Sequence, residues 1–260
     1  MSPETLEIAS CILLPGLIVL GLVLTRFKFG LRLAGTLAVI LAIYRAFTFI
    51  QAAAVGHDNI VPVELSHVTV FVMGAIAIAG IPQLEFFGGY MGVICGLAYS
   101  LAAIVSPGKV LSTLTAFEQI QGLVIHSLLL LLGMVFVFGA RRYKWRAIGY
   151  SAVGIACYFV FGILVSEGVL YGGVNTSGYV IVKLVHGQAL SYFGVEVPQG
   201  SHLALLVSAC TFLLMVVLCL AFFLLSRAWQ KRLGREQLEF GIYPLVNSAV
   251  SSKRNTAKNR

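Results

Sequence analysis

Five ionisable residues interrupt segments of this chain that are otherwise apolar and long enough to cross a membrane: Arg45, Glu64, His67, His126 and Glu167. A charged side chain near the centre of a bilayer costs about 2.5–3.5 kcal/mol even on a lenient insertion scale. Such a residue is therefore retained where it has a partner or a chemical task. If the five lie at one depth on one side of the membrane, they mark a buried polar site.

Ser66 and His126 are the candidate catalytic pair. A histidine takes the proton of a serine hydroxyl, and the alkoxide then attacks an acyl carbonyl. The only aspartate, Asp58, falls in a predicted loop, so Glu64 or Glu167 would have to orient the histidine. His126 also has a structural interpretation, as a core histidine with satisfied hydrogen bonds. The pattern predicts a similar depth for Ser66 and His126 but not a contact.

The other polar candidates each have a functional and a structural interpretation. Arg45 suits a phosphate or carboxylate held through two hydrogen bonds, or it pairs with Glu64 on the next helix. His67 supports the site or hydrogen-bonds to a neighbouring helix, and Glu167 is near enough to the interface to be solvated. Four amide side chains are further candidates, as donors to an oxyanion: Asn59, Gln119, Gln121 and Asn175.

Motifs for metals, phosphates and nucleic acids are missing from the sequence. The five histidines lack H-E-x-x-H and H-x-x-x-H spacing, and there is no G-x-S-x-G or glycine-rich phosphate loop. We therefore predict no metal and no cofactor. The net charge of +8 comes from basic residues at predicted helix ends and in the C-terminal tail, where they favour anionic lipid headgroups. The predicted partners are membrane lipids, not nucleic acid.

The composition predicts an all-α, polytopic membrane protein. Of the 260 residues, 59% are hydrophobic and 11% charged, against about 25% charged in a soluble domain. Runs of about 18 or more apolar residues predict transmembrane helices, because exposed backbone in lipid permits only helices or closed barrels. Seven such runs are present: 8–25, 33–54, 61–81, 86–105, 119–140, 147–170 and 203–226.

The distribution of basic residues predicts the orientation of these helices. Fifteen of the 18 Lys and Arg residues fall in alternate loops and in the C-terminal tail, on one side of the predicted bundle. The positive-inside rule makes that side cytoplasmic, with the N-terminus outside. All five intramembrane ionisable residues then fall in the outer half of the membrane. A plasma or cytoplasmic membrane is the expected location.

Two segments lie outside the predicted helices. Residues 171–201 are too polar and glycine-rich to span and too apolar to float free, so we expect an external lid or re-entrant segment within the 1–226 membrane domain. Residues 227–260 form a predicted basic cytoplasmic tail.

Several short motifs resemble those of the YwaF-like integral membrane protein family, which is related to the animal transmembrane-protein-164 acyltransferase. The stretch V-P-V-E-L-S-H at 61–67 is similar to the L-P-L-H-L-C opening of a family helix. Further similarities follow in order over roughly residues 30–225: F-F-G-G-Y-M-G-V-I-C-G-L at 86–97, Pro107, Q-G-L-V-I-H at 121–126, Y-G-G-V-N at 171–175 with Lys183, and Y-F-G at 192–194.

This resemblance implies a lipid acyltransferase in which a cysteine takes the acyl group with the help of a histidine. Ser66 stands at the cysteine position and His126 at the histidine position. Serine has a far higher pKa than a thiol and depends more on its base; its presence here also fits a member that has lost catalysis. A second departure is Leu184, which follows Lys183 where the family has proline.

Three functions are consistent with these residues. The first is a lipid acyltransferase or lipid hydrolase at the outer leaflet, using Ser66 and His126 beneath the lid. The second is a transporter of a small solute or ion, in which Arg45, Glu64 and Glu167 handle an anion or protons. The third is a non-enzymatic assembly factor of the cell envelope. The predicted polar groups occupy one half of the membrane, which argues against a transport path across it.

Overall fold

The computed structural model describes residues 1–55, 63–79, 81–111, 115–139, 143–171, 179–188, 190 and 195–233. These segments fold into helices, and no strand is found among them. The helices are α1 Pro3–Leu24, α2 Lys28–Ala54, α3 Leu65–Ala79, α4 Pro82–Val105, α5 Pro107–Leu111, α6 Ala116–Gly139, α7 Arg146–Ser166, α8 Val180–Val185 and α9 His202–Arg232.

Six of these helices are long and apolar enough to cross a membrane: α1, α2, α4, α6, α7 and α9. Helix α3 has 15 residues and a length of about 22 Å, whereas the hydrocarbon core is about 30 Å thick. The prediction of a polytopic all-α membrane protein is therefore confirmed. The seventh predicted span, 61–81, corresponds to this shorter helix, and seven crossings remain a prediction.

Apolar side chains cover the outer faces of the peripheral helices. Ile12 on α1, Phe47 on α2 and Leu205 on α9 are each more than 60% exposed. Large exposed apolar surfaces are rare on soluble monomers and are expected where lipid replaces water. The outer helices thus present a surface suited to lipid, and α4 and α6 form the most buried part of the bundle.

The helices run in alternate directions between the two ends of the bundle in the order α1, α2, α3, α4, α6, α7 and α9. The N-terminal amine of Met1 bonds to Gln119 at the start of α6 (3.0 Å), while Thr25 after α1 accepts a hydrogen bond from Trp229 near the end of α9 (3.1 Å). Ring contacts pair the end of α2 with the start of α3, and the start of α7 with the end of α9. The end that we call the basic end carries Arg26, Arg146, Arg227 and Arg232.

Glycines bring the backbones of α4 and α6 into close contact. A methyl group added at Gly133 would lie 2.5 Å from the backbone nitrogen of Val93, and one at Gly96 would lie 2.8 Å from the carbonyl oxygen of His126. Small residues of this kind allow helices in a membrane to pack at van der Waals distance. The contact sets the register of α6 against α4, and with it the depth of His126.

The two segments outside the predicted spans are partly described. Within 171–201, helix α8 packs closely on α7. A methyl group added at Gly162 of α7 would clash with Cγ1 of Ile181 on α8. Ser201 caps α9 by accepting a hydrogen bond from the backbone of Ala204 (3.1 Å). Helix α9 continues to Arg232, so the first residues of the predicted tail extend the last span. Whether 171–201 closes over the bundle as a lid stays a prediction.

Candidate functional site

Arg45 on α2 and His67 on α3 form a direct side-chain contact. Nη2 of Arg45 donates to Nε2 of His67. Arginine has no acceptor, so the histidine must accept at Nε2 and carry its ring proton on Nδ1. Phe49 supports both groups: its ring centroid lies 5.1 Å from the guanidinium carbon and 5.1 Å from the imidazole centroid, in an edge-to-face arrangement.

Two donors of this pair are buried without a partner in the described structure, Nε of Arg45 and Nδ1 of His67. A buried donor left unpaired costs about 1–3 kcal/mol. Such donors are expected where a bound group completes the hydrogen bonds. The pair is thus suited to an anionic or strongly polarised oxygen.

Glu64 does not pair with Arg45 among the described contacts, in contrast to the structural interpretation drawn from the sequence. Its carboxylate accepts from the backbone N–H of Val180 at 3.2 and 3.3 Å and interacts electrostatically with Lys183. The reason is local, since Glu64 precedes Leu65, the first residue of α3, and its side chain reaches α8. Glu64 therefore ties the start of α3 to α8.

Replacing Glu64 with alanine is expected to loosen α8. A hydrogen bond to a charged group contributes about 1.5–3 kcal/mol, so amide exchange over 179–188 should become roughly tenfold faster or more. Hydrogen exchange followed by mass spectrometry of the purified protein measures this. Glu167→Ala, at an exposed residue that ends α7, is the matched control. Unchanged protection of 179–188 in Glu64→Ala would contradict the assignment.

His126 lies in the first half of α6, on the face that packs against α4. Its Nδ1 donates to the carbonyl oxygen of Gly122 one turn earlier, at 2.7 Å, because a carbonyl only accepts. Nε2 therefore carries the lone pair and is an acceptor. The ring stacks on Tyr99, with centroids 4.2 Å apart and planes 9° apart, and it interacts electrostatically with Arg45 and His67.

Helices α2, α3, α4 and α6 thus meet at one location, which we call the central polar site: Arg45, His67, Tyr99 and His126. All four residues lie in the halves of their helices that point away from the basic end. The hydroxyl of Tyr99 is buried and has no partner among the described residues. The site combines two donors, one imidazole acceptor and one phenol.

Ser66 is placed next to this site rather than within it. It is the second residue of α3 and is partly buried, and it lies about 100° round the helix from His67. No hydrogen bond joins Ser66 to His126 among the described contacts. The contact between these two residues stays a prediction.

The remaining predicted residues lie at several places. Gln121 donates to the hydroxyl of Tyr44 at 2.8 Å, and both residues line an apolar groove of about 330 Å³ between α2 and α6. Glu167 is exposed at the end of α7, and Lys183 is partly buried in the last turn of α8. Asn175 lies outside the described residues. Gln121 therefore contacts the neighbour of Arg45 in sequence, Lys183 faces Glu64, and Glu167 is not part of the central polar site.

Tyr99 was not predicted from the sequence, although a signal was present. Gly92, Gly96 and Tyr99 follow one another at intervals of four and three residues, which places them on one face of α4. Because glycines mark the face that approaches a neighbouring helix most closely, the tyrosine that continues the face is expected to meet that helix. Its partner there is His126.

The central polar site combines hydrogen-bond donors with a proton acceptor. The unpaired donors of Arg45 and His67 are suited to an oxyanion, and Nε2 of His126 is suited to accept a proton from an alcohol or water. Within the described residues, no group of three or more His, Cys, Asp and Glu is arranged to hold a metal ion. No protein-family model, no curated protein and no solved structure matches this chain.

Proposed function

We propose that this membrane protein is a lipid acyltransferase or lipid hydrolase, with His126 as general base and Ser66 as nucleophile. The observation that carries the proposal is the hydrogen bond from Nδ1 of His126 to Gly122. It leaves Nε2 as a proton acceptor inside the bundle, beside the unpaired donors of Arg45 and His67. A base, two donors and an apolar surrounding are the requirements of acyl transfer from a lipid ester.

The proposed reaction has two steps. Nε2 of His126 takes the proton of Ser66 Oγ, which bonds to the ester carbonyl carbon, and the carbonyl oxygen becomes an oxyanion held by Arg45 and His67. The bond to the leaving alcohol then breaks, and that alcohol takes the proton from His126. A second alcohol, or water, attacks the acyl-serine by the same route in reverse, which gives transfer or hydrolysis.

The surroundings of the site support a lipid as the substrate. The groove between α2 and α6 is lined by apolar side chains together with Tyr44 and Gln121. Tyr44 is next in sequence to Arg45, and Gln121 is five positions before His126. An acyl chain in this groove would have its ester near the central polar site. By the positive-inside rule, a site away from the basic end belongs to the outer leaflet.

We also propose that the chain belongs to the YwaF-like family. The support is the motif resemblance, and the stretch that carries it at 61–67 supplies both Ser66 and His67. The described polar residues of the site lie in one half of the bundle, which favours a catalytic site over a path for transport.

Replacing Ser66 with alanine tests the proposed nucleophile. In cells that lack the gene, complementation with Ser66→Ala is expected to leave the lipid profile of the deletion unchanged, because no acyl-serine can form. Complementation with Ser127→Ala, which removes a hydroxyl beside His126, is expected to restore the wild-type profile. Quantitative mass spectrometry of total lipids is the measurement. Restoration of the wild-type profile by Ser66→Ala would show that Ser66 is not the nucleophile.

A further inference from the structure

A second groove lies in the half of the bundle that contains the basic end. It has a volume of about 410 Å³ and is formed by α1, α4, α6 and α9. Ile18 and Leu22 form one wall, Phe222 and Leu225 form the other, and Leu97 and Met134 are part of the floor. Its lining is apolar except at one end, where Trp229 and Arg232 lie.

The groove is bridged at the basic end. Nε1 of Trp229 donates to Oγ1 of Thr25 at 3.1 Å, and that hydroxyl donates to the carbonyl of Leu22 at 2.6 Å. The guanidinium carbon of Arg26 lies 5.8 Å from the Trp229 ring centroid. Tryptophan is enriched at the level of lipid headgroups, so the bridge marks the interface, and the apolar part of the groove extends from there towards the bilayer centre.

The charge at this end of the groove is positive. Arg232 lines the groove and is exposed, and Arg26 lies across the bridge. Among the described residues, the carboxylate at this end of the bundle is that of Glu85, which is fully buried. Basic pockets between membrane helices on the cytoplasmic side bind anionic headgroups.

We infer that this groove binds an anionic glycerophospholipid of the leaflet at the basic end. One acyl chain lies between α1 and α9 on the floor made by α4 and α6, and the phosphate binds Arg232. A lipid is the occupant that reaches the groove directly, because the outer faces of α1 and α9 are apolar. The tail beyond Leu233 has five basic and two acidic residues, so its net charge has the same sign as this end of the groove. The site is separate from the central polar site and independent of its proposed chemistry.

Native mass spectrometry tests this inference. The purified full-length protein in detergent is mixed with equal amounts of phosphatidylglycerol and phosphatidylcholine that have identical acyl chains. We expect the wild type to retain phosphatidylglycerol preferentially. Arg232→Gln should reduce that preference about fivefold, as expected for the loss of about 1 kcal/mol per basic residue near the headgroup. Lys231→Gln, at an exposed neighbour that does not line the groove, should change it less than twofold.

A matched pair of substitutions on α9 tests the groove itself. Ala228 lines the groove and is exposed, whereas Ala221 is also exposed but does not line it. Ala228→Phe should abolish retention of phosphatidylglycerol by filling the groove, and Ala221→Phe should leave it unchanged. Equal retention of the two lipids by the wild type, or wild-type retention by Ala228→Phe, would overturn the inference. Because neither alanine is in the core, both variants should elute as the wild type does in size-exclusion chromatography.

Discussion

His126→Gln is expected to reduce the proposed acyl transfer by about 10²–10⁴-fold, the usual contribution of a positioned general base. Glutamine retains an N–H that can reach the carbonyl of Gly122, and it fills much of the same space beside Tyr99. It lacks a basic nitrogen at the position of Nε2. The expected result is a folded protein that cannot take the proton from Ser66.

The measurement is the total lipid profile of deleted cells complemented with His126→Gln, together with the apparent melting temperature of the purified variant. His202→Gln is the control, because His202 is exposed at the start of α9 and should restore the wild-type profile. A deletion-like profile with a normal melting temperature is the expected outcome for His126→Gln. A wild-type profile from this variant would remove His126 from the mechanism.

Gly133→Ala is expected to destabilise the bundle strongly. The added methyl group would lie 2.5 Å from the backbone nitrogen of Val93 and 2.7 Å from the carbonyl oxygen of Gly89. Backbone atoms of a packed helix cannot move aside as a flexible side chain can. Overpacking typically costs about 1–3 kcal/mol, and we expect a loss at or above the top of this range.

Gly149→Ala is the matched control for Gly133→Ala. Gly149 is also within a helix, α7, but nothing lies within 4 Å of a methyl group added there. This change should be neutral or stabilising, because alanine is favoured over glycine in a helix by about 1 kcal/mol. The apparent melting temperature in detergent, with size-exclusion chromatography for aggregation, compares the two. Equal melting temperatures for Gly133→Ala and the wild type would contradict the close α4–α6 contact.

The predicted spans agree with the observed helices because lipid imposes a local rule on sequence. A helix in a bilayer satisfies its own backbone hydrogen bonds, so a run of apolar residues is enough to predict it. Six spans follow from such runs. The exception is 61–81, where hydropathy predicts about 20 residues but the helix extends only over Leu65–Ala79. The stretch is apolar along most of its length, so its hydropathy does not indicate at which residues the helix begins and ends.

The candidate site was only partly predictable. Arg45, Glu64, His67 and His126 stand out because polar side chains are expensive in an apolar segment, and this signal needs no knowledge of neighbours. The partners of these residues do not follow from it. The carboxylate of Glu64 accepts a hydrogen bond from the backbone of Val180, 116 positions later. Arg45 bonds to His67 and not to Glu64.

The sequence by itself determined that this chain is a multi-pass helical membrane protein with ionisable groups inside its apolar segments, because hydropathy and charge act residue by residue. Only the tertiary structure decided that Arg45 bonds to His67, that His126 stacks on Tyr99, and that Ser66 stands beside the site. Those contacts depend on the rotation and axial register of whole helices, which are set by close glycine contacts such as that of Gly96 with His126. Hydropathy carries no information about rotation or register.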